Sequence, residues 1–80
     1  AHPEIKRKLR AALGLIQSDP EVGTALKEEL QGLRSYRVGR LRIIYRMARA
    51  GTVDIIAIGP RRTIYEETFR LVKRQTRRRP

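Results

Sequence analysis

"YRVGRLRIIYRM", residues Tyr36 to Met47, places four arginines in twelve residues and threads apolar side chains between them. Leu41, Ile43, Tyr45 and Met47 alternate with Arg40, Arg42, Ile44 and Arg46, which is the period of two that a β-strand imposes. One face of such a strand enters a core and the other presents guanidinium groups. Like charges side by side repel, so a strand built this way raises the question of what its arginines meet.

Reading outward, "ARAGT" at 48–52 supplies a turn and "VDIIAI" at 53–58 a short, nearly continuous apolar run of the kind found in a strand covered on both faces. The pattern predicts a hairpin of strands 41–48 and 52–58. Gly59-Pro60 breaks the second strand, and Thr63 with Glu66 has capping-box spacing, so a helix is expected from about Ile64 through Phe69, Leu71 and Val72. "RQTRRRP" then loses all apolar support, which assigns 1–76 to one domain and 77–80 to a basic, frayed tail. On the other side, Ile5, Leu9, Ala12, Leu13 and Ile16 recur at helical spacing behind Pro3, predicting an amphipathic helix over 3–16 that ends at "SDP". "EVGTALKEELQGL" reads as a turn and a short helical stretch stopping at Gly32. The expected fold is a small α+β domain: N-terminal helix, twisted antiparallel sheet with a central hairpin, C-terminal helix. Its expected core includes Ile5, Leu9, Leu13, Ile16, Ile43, Tyr45, Ile55 and Ile58.

Composition limits what such a domain does. Eighty residues with 40% hydrophobic content make one compact core, since a chain this small buries only ~60% of the surface its unfolded form exposes. The absence of cysteine excludes disulfide staples, cysteine-ligated zinc and a cysteine nucleophile. No apolar run approaches the ~20 residues of a membrane span and no signal core opens the chain, so a soluble, cytoplasmic protein with no membrane partner is expected. Net charge is +11, from 19 Lys plus Arg against 8 Asp plus Glu, and such a field favours a polyanion. The charge is unevenly spread: residues 34–49 carry six arginines and no acid, while 17–33 hold four of the eight acids.

Ordinary hydrolase machinery is missing. His2 is the single histidine, at the extreme N-terminus beside Pro3, and reads as a bystander. No cluster has metal-ligand spacing, and there is neither a Ser/His/Asp set nor a glycine-rich phosphate loop, so no metal and no cofactor are expected. What remains is a convergence: Arg37 and Arg42 on adjacent strand segments, Arg61 and Arg62 just beyond the next strand, and Tyr65 in the first turn of the following helix.

These residues carry a resemblance. "LKEELQGLRSYRVGRLRIIYRM" followed by "VDIIAIGPRRTIYEE" resembles the RelE/ParE superfamily of toxins from type II toxin–antitoxin systems, over a span from about Pro3 to Val72. Members typically carry a tyrosine-arginine-valine-arginine strand, a "YRVIY" strand, a hairpin and a "GHRR…VY" ending. In the messenger-cleaving branch the resemblance implies catalytic roles for Arg37, Arg42, Arg61 and Tyr65. Arg40, Arg46, Arg62, Lys73 and Arg74 are expected as further RNA contacts on charge alone. The resemblance also implies an acidic cognate antitoxin, with which the toxin forms a hetero-oligomer, and a ribosome and messenger as targets. The first motif here is shorter than the family's, with one basic residue fewer and Leu41 in place of an aromatic, and Arg40 is available as a substitute. Family members usually begin with a strand and helix ahead of the helix at 3–16, and a sheet lacking that strand leaves an edge open.

The implied chemistry suits these residues. RNA supplies its own 2′-hydroxyl as nucleophile, so the protein has only to grip the phosphate, stabilise the phosphorane and handle protons. Arginine, charged at any relevant pH, suits grip and transition-state stabilisation, whereas a tyrosine acts as a base only where nearby cations favour its phenolate. The expected function is therefore a toxin acting as a ribosome-dependent messenger endonuclease, with a ParE-like poison of DNA gyrase and a nonenzymatic basic nucleic-acid or ribosome-binding module as alternatives. Tyr45 shares the parity of Ile43 and belongs to the core, Tyr36 fits either role, and Arg34, Arg49 and, as the alternative to an RNA contact, Arg46 read as solubilising charges.

Overall fold

The computed structural model describes residues 3–78, with side chains described through Arg74. Helix α1 (Pro3–Ser18) leads through a short loop to β1 (Thr24–Ala25), and β2 (Leu33–Val38), β3 (Leu41–Met47) and β4 (Val53–Pro60) follow before helix α2 (Arg61–Arg78). The four strands form one antiparallel sheet in the order β1-β2-β3-β4. The α+β architecture is the expected one. β2 and β3 are joined through only Gly39 and Arg40, with Val38 opposite Leu41, and Gly39 takes φ 62. A positive φ at the first position of a two-residue loop belongs to the mirror-image turns whose twist matches that of paired strands. The segment before β2 contains a single turn of 3-10 helix at Glu28–Leu30, and Gly32, at φ 95, ends it as expected.

Two cores form, one on each side of the sheet. Ala12 and Ile16 of α1 pack on Ile43 and Tyr45, with Leu9, Leu13, Val22, Tyr36, Val38 and Val53 around them. On the opposite face Leu33, Ile44 and Ile64 form a second cluster with Leu26, Leu30, Ile56, Ala57, Tyr65 and Val72. Ile44, expected on the guanidinium face, is instead fully buried. The guanidinium face of β3 is therefore confined to the ends of the strand, because α2 folds back over its middle.

Other expectations fail at β4. Ile55 and Ile58 are each 42% exposed, as is Ile5, although all three were expected in the core. α1 packs on Tyr36, Val38, Ile43 and Tyr45 and so lies toward β2, leaving the corresponding face of β4 uncovered. β4 is also an edge strand, hydrogen-bonded within the described residues to β3 alone, rather than a strand covered on both faces. A register shift between Ile44 and Tyr45 inserts Ile56 as an extra residue in β4, which accounts for Ile56 and Ala57 both reaching the α2-side core.

α2 starts at Arg61, three residues ahead of the expected point, directly from the last strand residue. The backbone N–H of Arg61 donates to the Arg40 carbonyl at 3.2 Å, so the helix start is tied to the neighbouring hairpin. Thr63 therefore falls inside the helix, and Glu66 pairs with Arg70 at 2.7 Å instead of closing a capping box. The helix continues to Arg78, beyond the last apolar residue, and the rest of the expected tail, like His2, lies outside the described residues.

Tyr45 secures the loop after α1. Its hydroxyl donates to the Pro20 carbonyl at 2.7 Å and accepts from the Gly23 N–H at 2.9 Å, and a Cβ on Gly23 would run into that hydroxyl. Tyr45→Phe keeps the ring and strands both backbone groups, one of them buried, so it is expected to cost about 1–3 kcal/mol. Urea denaturation read by circular dichroism measures it, and an unchanged midpoint would show that water replaces the hydroxyl.

Candidate functional site

The β2–β3 hairpin and the β4–α2 junction enclose a cavity of about 320 Å³ lined by Arg37, Gly39, Arg40, Leu41, Arg42, Pro60, Arg61 and Arg62. Strand register explains the grouping. Arg37 stands directly opposite Arg42, and Arg42 in turn opposite Gly59, so the arginines of two strands meet the first turn of α2 at one end of the sheet. No carboxylate lines the cavity. The ion pairs among the described residues, Arg46–Asp54 and Arg70–Glu66, lie elsewhere. Five guanidinium groups line one cavity, and a carboxylate stands behind the lining, where Glu67 Oε1 comes to 3.8 Å from the position a Cβ on Gly59 would take, opposite Arg42; the excess of positive charge suits an anion.

Within it Arg42 is the most constrained. Its Nη1 donates to Ser35 Oγ at 3.0 Å, and that oxygen lies 3.2 Å from the Tyr65 hydroxyl. Ser35 is buried at 1% exposure. Arg42 Nε is also buried and, among the described residues, has no hydrogen-bond partner. Arg37 is braced differently, its Nε donating to the Gly39 carbonyl at 3.1 Å. The cavity thus contains one arginine held from behind, Arg37 braced on the hairpin turn, and three exposed ones, Arg40, Arg61 and Arg62, whose side chains can close on a ligand.

Of the residues singled out from the sequence, Arg37, Arg40, Arg42, Arg61 and Arg62 come together at the cavity wall. Tyr65 does not line it but reaches it through Ser35. Arg46 stands further along β3, paired with Asp54 at 3.1 Å, Lys73 sits over the Phe69 ring at 5.8 Å, and Arg74 is exposed further along α2; none of the three lines the cavity. Ser35 was missed. The available signal was parity: Ser35 shares its strand face with Leu33 and Arg37, so a small hydroxyl was placed between a core position and an arginine.

The molecule is thus a small basic α+β domain with an arginine-lined cavity at one end of its sheet. A family model described as the ParE toxin of the type II toxin-antitoxin system parDE matches residues 1–65, a span that holds both strands of the cavity, Arg61 and Tyr65. The chain belongs to this family of toxins, within the RelE/ParE superfamily, and a type II toxin has an antitoxin as its partner. No curated protein and no solved structure gives a significant match. No helix among the described residues is long and apolar enough to cross a membrane.

Proposed function

We propose that this toxin cleaves messenger RNA on the ribosome. The observation that supports it is the connected set Arg42–Ser35–Tyr65 behind a cavity of arginines, because surface binding alone needs charge but no half-buried phenol hydrogen-bonded to the set. Cleavage proceeds by attack of the 2′-oxygen on the adjacent phosphorus, which leaves a 2′,3′-cyclic phosphate and releases the 5′-oxygen with a proton. Arg37, Arg61 and Arg62 grip the phosphate, Arg42 neutralises the charge that grows on the phosphorane, and Tyr65 exchanges the proton. Arg40, on the hairpin turn, extends the grip to the next phosphate, while Arg46, Lys73 and Arg74 contact RNA beyond the cavity. The acidic antitoxin inhibits by occupying the same arginines.

Membership of the ParE toxin family favours a second mode, a ParE-like toxin that poisons DNA gyrase, in which the arginine surface binds without cutting. Purified protein incubated with programmed ribosomes separates the two. Messenger fragments ending in 2′,3′-cyclic phosphate are the expected product. Intact messenger together with gyrase trapped on cleaved DNA would overturn the nuclease proposal in favour of the second mode.

A further inference from the structure

Ser35, Arg42 and Tyr65 come from three elements, β2, β3 and α2, and a single side-chain oxygen joins them. A guanidinium has only donors, so Ser35 Oγ must accept from Arg42 Nη1. One lone pair and the hydroxyl proton are then left for Tyr65. A hydroxyl whose oxygen is already engaged by a cation is a stronger donor than a free one, so the favoured arrangement runs Arg42 to Ser35 to the phenol oxygen. The phenol's own proton then points away from Ser35. The same contact holds Arg42, whose buried Nε has no other anchor among the described residues.

We infer that Ser35 is a positioning residue that couples Arg42 to Tyr65: its hydroxyl fixes the guanidinium against the phosphate and orients the phenol for proton transfer. Ser35 touches no RNA and transfers no proton to it. Its size matters as much as its polarity, since it lies buried opposite Ile44 in the layer that α2 covers. This role rests on the nuclease proposal for its catalytic consequence but not for its geometry, and the two are tested separately.

The experiment compares Ser35→Ala, Ser35→Thr, Tyr65→Phe and the double variant Ser35→Ala/Tyr65→Phe in the whole protein. Single-turnover cleavage of ribosome-bound messenger is measured beside messenger affinity, melting temperature and the NMR signal of Arg42 Nε–Hε. Ser35→Ala is expected to slow cleavage ~10²-fold, as misplacement of a reacting group does, with affinity within about twofold of wild type. The double variant should be no slower than the slower single one, because both substitutions break one unit. Ser35→Thr, which restores the hydroxyl, should recover most of the rate. Should Ser35→Ala melt too low to assay, Ser35→Cys replaces it as a near-isosteric, poorly bonding variant.

Losses that multiply in the double variant, or a fall in affinity that matches the fall in rate, would overturn the coupling. If wild type cuts no messenger at all, the nuclease proposal falls and the coupling is judged by NMR alone. An Arg42 Nε–Hε signal that is sharp in wild type and Ser35→Thr but broadened in Ser35→Ala supports it. A signal unchanged in Ser35→Ala refutes it.

Discussion

Arg42→Ala and Arg61→Ala are each expected to lower messenger cleavage ~10²–10³-fold, the loss that follows removal of one preorganised charge from a transition state. Ribosome binding should fall far less, because it draws on the summed field of a chain with net charge +11, and one lost guanidinium removes about one phosphate contact. Both residues line the cavity, but they differ in support. Arg42 is anchored through Ser35, whereas only the backbone of Arg61 is tied, to the Arg40 carbonyl. Arg42→Lys should therefore recover little activity, since an ammonium cannot both reach Ser35 and present a fork to phosphate. Replacing Lys73 and Arg74 together removes twice the charge from outside the cavity and should cost much less rate. Quantitative primer extension on programmed ribosomes measures all four. Cleavage that falls in proportion to charge removed, wherever it is removed, would reduce the cavity to a binding surface.

Ile44→Ala is expected to be among the most damaging single changes to stability. Ile44 is fully buried at the centre of the sheet, against Leu33 and Ile64, and truncating such a side chain costs about 2–5 kcal/mol. For a domain of this size that is a fall in melting temperature on the order of 10–30 °C. Total stabilities of small domains run only about 5–15 kcal/mol, so much of the folded population is at stake. Ile55→Ala removes the same groups from a side chain that is 42% exposed on the edge strand, and should cost less than about 1 kcal/mol. Differential scanning calorimetry of the pair distinguishes the covered centre of the sheet from the uncovered face of β4. Equal shifts would mean that the Ile55 face of β4 is covered in solution.

That contrast also marks how much was legible in the sequence. The alternation of 41–47 correctly placed Ile43 and Tyr45 inside, and the spacing of Leu9, Leu13 and Ile16 gave the inner face of α1. Ile44 was misplaced because it shares parity with Arg42 and Arg46, and strand periodicity cannot show that a helix covers only the middle of a face. "VDIIAI" has the composition of a covered strand, yet whether a strand lies at the centre or the edge is decided by which neighbours pair with it. The capping box failed because hydrogen bonding to Arg40 supplied the helix start from another hairpin. At the site, arginines were visible because charge in a strand is conspicuous. One serine in a strand carries no such signal, and its role emerged only once Arg42 and Tyr65 were seen to share it.

Arg37 facing Arg42 across two hydrogen-bonded strands has an evolutionary consequence. Two cations held side by side oppose the folding of the hairpin that carries them, so the empty toxin is less stable than the same backbone with a neutral pair. Substitutions that relieve the repulsion would yield a sturdier chain with a weakened site. Selection for persistence of the fold and selection for potency therefore act against each other at this pair. Any anionic partner that settles between the two arginines eases both at once.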